Sequence, residues 1–198
     1  MASPKKKARE RILEAAAESF QTLGYARTTT QAIATKAGVA EVTLFRHFGD
    51  KQKLFQAVAQ QIGGGPNLDE LEALLTYELE KDLRLISRHV LHFFLAQQDA
   101  IRMLMFESIH FPEMREALAQ NPRRMIQLLD RYFQKQMENG KLQKINPQVT
   151  AQTFMSMIFG YAIGMHPVKE LLPVDIPLEE MTAEFVRVFW VGLSVSEW

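Results

Sequence analysis

The sequence contains no cysteine, which excludes disulfide bridges, thiolate metal sites and a cysteine nucleophile. It also lacks long apolar runs: the longest, Met157 to Met165, has nine residues and includes two glycines. A membrane span needs about 20 apolar residues. Patterns typical of β-strands are scarce, and no Asn-Gly or Asp-Gly turn joins two apolar runs. We therefore expect an all-α protein in the cytoplasm, with no part in the membrane.

The net charge is zero over 198 residues, but the charges are unevenly distributed. Residues 1–62 contain ten Lys and Arg against five Asp and Glu, whereas the remainder contains 13 against 18. A small basic module suits a polyanion, because each neutralised phosphate releases condensed counterions. A solvated surface without a nucleic-acid partner is the alternative at this point.

Apolar residues recur at helical spacing and predict about nine main helices. In the N-terminal part, the predicted helices end near Gly24, Gly38 and Gly49. Two short helices joined by a turn at Gly38, behind a supporting helix, form a helix-turn-helix arrangement. Leu44 and Phe48 are expected to anchor the second short helix, so that its other side chains face outward.

Residues 63–66, Gly-Gly-Gly-Pro, have the composition of a linker, because glycine frees the backbone and proline cannot continue a helix. We therefore predict a first domain in residues 1–62 and a larger helical domain in residues 63–198. The helices predicted for the larger domain are, in order, one or two reaching residue 98, then 99–111, 113–120, 122–139, 149–163 and 178–193.

Residues 12–58 resemble the N-terminal domain of the TetR family of transcriptional repressors almost position for position. The matching features are an ILEAA-type first helix, Gly24-Tyr25, three threonines before the second helix, Ile33-Ala34, Ala37-Gly38-Val39, Thr43-Leu44, His47-Phe48, and Lys51 with Leu54. The resemblance implies an all-α homodimer that binds a palindromic operator in double-stranded DNA. It also implies a C-terminal domain that binds a small-molecule effector, and association with the nucleoid while the protein is bound to DNA.

The resemblance implies DNA contacts for particular residues. Thr29 and Lys51 match positions that usually contact phosphates. The residues of the recognition helix expected to face the major groove are Glu41, Val42, Thr43, Phe45, Arg46 and His47. Arg46 either bonds O6 and N7 of a guanine together or contacts a phosphate.

Three departures from the family pattern concern the same helix. Ala40 stands where a serine usually caps it. Phe45 replaces a tyrosine whose hydroxyl meets a phosphate. Glu41 either opposes nearby phosphates or accepts a hydrogen bond from a cytosine amine. Residues 5–7, three lysines, form an arm along the minor groove or the flanking backbone, or remain disordered until DNA is bound.

The C-terminal region is rich in Met and Phe, which suit either a plain core or the lining of a pocket that adapts to apolar guests. The candidate pocket residues are Phe94, Arg102, Met103, Phe106, His110, Met125, Met157, Tyr161 and His166. Few of them are polar, so we expect an apolar or amphipathic effector. The resemblance implies that the C-terminal end of the helix over residues 99–111 lies against the DNA-binding domain and transmits the effector signal. Control by a protein partner, without a small ligand, is the alternative.

The last two long helices, 149–163 and 178–193, are predicted to form the dimer interface. Glycines four residues apart permit a close helix crossing, and an apolar stripe continues toward the C-terminus. The candidate interface residues are Gly160, Gly164, Phe185, Val188, Phe189 and Gly192. Packing of this stripe within its own subunit is the alternative.

No motif predicts catalysis, a metal site or a cofactor. His89 and His92 lie three residues apart, but no carboxylate or cysteine completes a ligand set. Ser108 and Ser156 lie in no nucleophile elbow, and residues 63–65 lack the Lys and Ser or Thr of a phosphate-binding loop. We therefore predict a non-enzymatic protein without a cofactor.

Overall fold

The computed structural model describes residues 7–65, 67–109, 111–165, 168, 171 and 176–193. This part of the chain contains nine α-helices, a π-helical turn and no β-strand. The first four helices are α1 (Ala8–Arg27), α2 (Thr30–Lys36), α3 (Glu41–Phe48) and α4 (Lys51–Ile62). The others are α5 (Leu68–Ala73), α6 (Leu79–Glu107), α7 (Pro112–Glu138), α8 (Pro147–Phe159) and α9 (Leu178–Leu193), with the π-helical turn Gly160–Met165 after α8. The predicted all-α class is confirmed.

The chain divides into two compact units. The first combines the residues up to Gly64 with Asp99–Gln120, and the second combines Gly65–Gln98 with the residues from Asn121 onward. The end of α6 and the start of α7 therefore belong to the unit that holds α1 to α4, whereas the predicted second domain contains all residues after 62. Within the described residues, no helix is long and apolar enough to span a membrane.

An apolar core holds α1 to α4 together in the first unit. Phe20 of α1 and Phe55 of α4 are fully buried and meet edge to face, with ring centroids 4.7 Å apart. Gly24 has φ +76°, which interrupts the helical geometry of α1 where the sequence predicts a stop. The chain then makes one further turn to Arg27. Glycine has no Cβ and adopts this positive φ without steric cost, so the interruption of the helix does not strain the backbone.

A buried polar network lies where α6 begins in the second unit. Asp82 is fully buried and accepts hydrogen bonds from the Thr76 backbone N–H at 2.9 Å and from the Thr76 hydroxyl at 3.0 Å. It also accepts one from the Tyr132 hydroxyl of α7 at 2.9 Å. Burial, together with the bond to Asp82, raises the pKa of Tyr132 far above its ordinary value, so Tyr132 keeps its proton at neutral pH. The network joins the start of α6 to α7.

The predicted helix start at Asp99 is wrong, because α6 continues without a break from Leu79 to Glu107. Aspartate often caps a helix, but its side chain here is 80% exposed within a continuous helix. Ala100, Ile101 and Leu104 are buried and extend the apolar face past Asp99. Tertiary packing of that face therefore overrides the local cap signal.

The predicted break at Asn121-Pro122 is also wrong, because α7 runs through Pro122. A proline inside a helix removes one backbone hydrogen bond, here the bond to the Leu118 carbonyl. Asn121 is only 8% exposed and lies against Gly65, where an added Cβ would come within 1.3 Å of the Asn121 amide nitrogen. The asparagine is therefore packed in the second unit and does not begin a separate helix.

Candidate DNA-binding surface

The turn between α2 and α3 is closed by backbone hydrogen bonds around a glycine. Gly38 has φ +64°, a conformation that side chains disfavour. Its N–H donates to the Thr35 carbonyl at 3.1 Å, and the Val39 N–H donates to the Ala34 carbonyl at 3.0 Å. Ala34 and Ala37 are buried, so small side chains stand where the two helices cross. The structure thus contains the predicted helix-turn-helix.

Helix α3 has one anchored face and one exposed face. Leu44 is fully buried and Phe48 is 8% exposed, as the spacing predicts. The exposed side chains of α3 are Val42, Phe45, Arg46 and His47. The helix therefore presents these four side chains to solvent while the core fixes its position.

The start of α3 is tied to α2 by Glu41. Ala40 makes no side-chain capping bond, as expected. The Thr30 hydroxyl donates to a carboxylate oxygen of Glu41 at 2.6 Å. One carboxylate oxygen of Glu41 thus joins the two helices, a contact that was not predicted, and the predicted relation of Glu41 to phosphates or to a cytosine amine stays a prediction.

The residues matched to phosphate contacts lie at the N-termini of α2 and α4. The Thr29 hydroxyl oxygen caps α2 by accepting from the Ala32 N–H at 3.1 Å, which leaves its proton available to donate. Helix α4 begins at Lys51, after Asp50 accepts from the Lys53 N–H at 2.7 Å. That hydrogen bond lowers the pKa of the Asp50 carboxyl. The exposed N–H groups at a helix N-terminus favour an anion such as a phosphate.

A cluster around Tyr25 connects Lys51 to the end of α6. The Lys51 ammonium lies 4.3 Å from the centre of the Tyr25 ring. Burial lowers the pKa of Lys51, and the negative charge of Glu107 partly opposes that shift. The Tyr25 N–H donates to Glu107 at 3.0 Å, and the Phe111 ring meets the Tyr25 ring edge to face at 4.7 Å. We call Tyr25, Lys51, Glu107 and Phe111 the Tyr25 junction.

The Glu107 contact in the Tyr25 junction was not predicted from the sequence. Tyr25 and Glu107 are 82 residues apart in the sequence, and no local motif indicates that they meet. The prediction that the end of the 99–111 segment lies against the DNA-binding helices came from the resemblance alone. The contacts of Glu107 and Phe111 agree with it.

Some candidate effector-pocket residues lie in the second unit. Phe94 meets Phe159 edge to face, with ring centroids 5.3 Å apart. Met125 is 2% exposed, and Met157 and Tyr161 are half-buried. The partners shown for Phe94 and Tyr161 are the aromatic residues Phe159 and Phe185, and aromatic and methionine side chains suit an adaptable apolar lining.

Other candidate pocket residues lie in the first unit or outside the described residues. Arg102 and Met103 are half-buried, and Phe106 is 66% exposed and lies on the surface. The Nε atom of Arg102 is buried without a hydrogen-bond partner, while its Nη1 lies 3.7 Å from Asp99. His110 and His166 are outside the described residues, as are residues 5 and 6 of the predicted lysine arm.

A surface groove of about 630 Å³ in the second unit was not predicted from the sequence. It is lined by Leu74, Glu78, Leu79, Glu80, Lys81, Asp82, Arg84, Leu85 and Arg88. Ion pairs border it, between Arg84 and Glu80 at 2.8 Å and between Arg88 and Glu179 at 3.1 Å. Its charged lining differs from the apolar site that the sequence predicts for the effector.

The candidate dimer residues differ in their surroundings. Phe185 packs on Tyr161 with ring centroids 5.8 Å apart, and Phe189 packs on Phe154 at 4.9 Å, both within one subunit. Val188 is 51% exposed. At Gly160, Gly164 and Gly192, an added Cβ would meet no atom within 4 Å. The exposed face of α9 thus carries Val188, and also Val191, which is 57% exposed and was not predicted.

The histidine pair considered for metal binding is exposed on α6. Among the residues that the structure describes, no three or more His, Cys, Asp or Glu side chains form a group that could hold a metal ion. His89 and His92 therefore have no further ligand among those residues.

A helix-turn-helix whose second helix is anchored on one side and exposed on the other is the arrangement that one class of DNA-binding proteins places in the major groove. The family follows from comparison with known proteins. Residues 12–58 match the family described as bacterial regulatory proteins, tetR family, and residues 81–174 match the AefR-like transcriptional repressor, C-terminal domain. The chain belongs to the TetR family of transcriptional regulators, which are DNA-binding repressors and typically dimers.

Full-length relatives agree with this assignment. The uncharacterized HTH-type transcriptional regulator YvkB of Bacillus subtilis is 33% identical over 189 residues, which cover 94% of this chain and 97% of YvkB. The crystal structure of a TetR-family regulator from Mesorhizobium loti aligns with a TM-score of 0.72 at 23% identity. The alignment covers 96% of this chain and 100% of the Mesorhizobium chain. The fatty acid degradation regulator FadR of Bacillus halodurans has a TM-score of 0.73 at 17% identity, covering 96% of this chain and 98% of FadR. At these identities, the two structures show a shared fold.

Proposed function

We propose that the protein is a homodimeric repressor that binds a palindromic operator and is released from it by a small apolar or amphipathic effector. The observation that carries this proposal is the Tyr25 junction, because it joins a candidate phosphate contact to the end of α6. The DNA contacts proposed are those of the exposed face of α3, with Thr29 and Lys51 on the flanking phosphates.

The Tyr25 junction supports a route by which an effector alters DNA binding. Lys51 and Glu107 both interact with Tyr25, so a shift of the end of α6 would move the Tyr25 backbone and ring. Lys51 is the first residue of α4, so its ammonium and the α4 N-terminus would move with that contact. An effector that binds one position of α6 better than the other then changes the affinity for DNA.

The effector class follows from the side chains proposed for the site. Phe94, Met125, Met157 and Tyr161 offer apolar and aromatic surface with one phenol hydroxyl. Methionine and aromatic side chains adapt to apolar guests, whereas strongly anionic ligands require clustered cations. We therefore expect an apolar or amphipathic molecule that carries at most one charge on a large apolar part.

Release from DNA is expected on titration of the preformed operator complex with apolar and amphipathic compounds. A guest that binds the DNA-incompetent state 100-fold better contributes about 2.7 kcal/mol of coupling. The measurement is fluorescence anisotropy of a labelled operator, selected beforehand from a random duplex pool. Long-chain fatty acids, flavonoids and hydrophobic cations serve as probes, and sugar phosphates serve as charged controls.

The outcomes of this titration separate the alternatives. Dissociation by a sugar phosphate but by no apolar probe contradicts the proposed effector class. If no compound dissociates the complex while a protein fraction does, control by a protein partner replaces the effector proposal. Failure to select any duplex contradicts operator binding itself.

The exposed face of α9 is the proposed dimer contact. Phe189 packs on Phe154 within its own subunit, so Phe189→Asp would test the fold of the subunit as well as the interface. Val188 and Val191 are more than half exposed and lie three residues apart. They can be changed without opening the core.

The double substitution Val188→Asp with Val191→Asp is expected to yield a folded monomer, because burying two carboxylates in a dimer contact is unfavourable. Sedimentation equilibrium gives the mass, and circular dichroism verifies the helical fold. Leu74→Asp is a matched control, since Leu74 is 54% exposed in the same unit and lies outside the proposed interface. A folded double variant that remains dimeric excludes this face.

A further inference from the structure

The exposed face of α3 carries an apolar patch. Val42 is 74% exposed and Phe45 is 41% exposed. Residues three apart on a helix are neighbours on its surface, so the two side chains adjoin each other. Arg46 follows Val42 by four residues and borders the same patch. This helix therefore offers apolar surface beside a guanidinium group.

The patch is not required to hold α3 in place. Leu44 and Phe48 anchor the helix from the other side. Glu41, the polar residue before Val42, is bonded to Thr30 at 2.6 Å. Single exposed apolar residues are common on protein surfaces, but here two adjoin on the second helix of a helix-turn-helix. The exposed side chains of that helix are the ones that face base edges when it lies in the major groove.

The major groove contains one apolar group that such a patch fits. Base edges there present hydrogen-bond donors and acceptors, and thymine adds the methyl group at C5. We propose that Val42 and Phe45 contact this methyl group, so that each half-site specifies a thymine beside the base pair that Arg46 contacts. A cytosine methylated at C5 carries the same group at the same place. The inference rests on the proposed function, because it requires α3 to lie in the major groove, and it names the base chemistry read there.

Deoxyuridine tests the proposal, because it differs from thymidine only by lacking the methyl group. The full-length protein binds a duplex selected from a random pool, and each thymine of one half-site is replaced in turn. We expect binding to weaken about fourfold at one or two positions, which corresponds to about 0.8 kcal/mol for one buried methyl group. Other positions are expected to bind unchanged. The measurement on the wild-type protein does not depend on the folding of any variant.

A variant then assigns the effect to a side chain. In Val42→Ala, the difference between thymine and uracil at the sensitive position is expected to shrink, because the methyl group loses its contact. Leu23→Ala is a matched control, since Leu23 is 43% exposed on α1. This control is expected to keep the full sensitivity to deoxyuridine.

Three results distinguish the proposals. Equal binding of thymine and uracil at every position overturns the methyl contact and leaves operator binding intact. A methyl sensitivity that persists unchanged in both Val42→Ala and Phe45→Ala also overturns it. Failure to enrich any duplex from the pool overturns the proposed function itself, and with it the methyl contact.

Discussion

Arg46→Ala is expected to weaken binding to the selected operator by roughly 30-fold or more and to relax the preference at one base pair in each half-site. A bidentate contact to guanine contributes about 1–3 kcal/mol, and a dimer loses it twice. Arg46 is exposed on α3, so its removal leaves the buried anchors of the helix unchanged. The measurement is anisotropy with the operator and with duplexes altered at single positions.

Two comparisons make this result specific. Lys51→Ala is expected to weaken all duplexes alike and to reduce the salt dependence, because a phosphate contact carries no sequence information. Arg84→Ala removes a cation that is paired with Glu80 in the second unit, and it is expected to leave DNA binding unchanged. If Arg46→Ala weakens all duplexes equally, Arg46 contacts a phosphate and another residue reads the base.

Asp82→Ala is expected to destabilise the protein by about 3–5 kcal/mol, because each of the buried donors that it leaves without an acceptor costs about 1–3 kcal/mol. Asp82 accepts two hydrogen bonds from Thr76 and one from Tyr132. After its removal, the buried Tyr132 hydroxyl and the Thr76 donors lose their shared acceptor. Urea unfolding at fixed protein concentration measures the change, because the concentration of a dimer affects its apparent stability.

Glu80→Ala is the matched control for Asp82→Ala. Glu80 lies two residues earlier on α6 and forms an exposed pair with Arg84 at 2.8 Å. Exposed pairs contribute about 0–1 kcal/mol, so the control is expected to unfold nearly as the wild type does. Equal effects of the two substitutions would show that the buried network does not stabilise this region.

The helices of the first unit follow from local signals. The turn at Gly38, the N-cap Thr29 and the N-cap Asp50 are set by residues within a few positions of each helix end. The anchors of α3 follow from apolar spacing, since residues four apart share a helix face. Such signals depend on residues that are close in the sequence, so helix ends and helix faces can be predicted without knowledge of the tertiary structure.

The boundaries of α6 and α7 illustrate what local signals miss. Asp99 and Asn121-Pro122 resemble helix starts, yet both lie inside continuous helices. A cap contributes about 1 kcal/mol, whereas each buried large apolar side chain contributes about 1.5–3 kcal/mol. Packing therefore decides where these helices end, and packing partners cannot be read from a short window of sequence.

Composition, helical spacing and the family resemblance were sufficient to predict the all-α class, the helix-turn-helix and the residues that match the family's DNA contacts. Three contacts became visible only in the folded chain: Glu41 joins α2 to α3, Glu107 accepts a hydrogen bond from Tyr25 beside Lys51, and Asp82 is the centre of a buried network. The folded chain also shows that α9 exposes Val188 and Val191 while Phe185 and Phe189 pack inward. The difference lies in sequence separation, because caps, turns and helix faces depend on residues within about one helical turn of each other. Burial and hydrogen-bond partners, in contrast, depend on side chains that the fold brings together from distant positions.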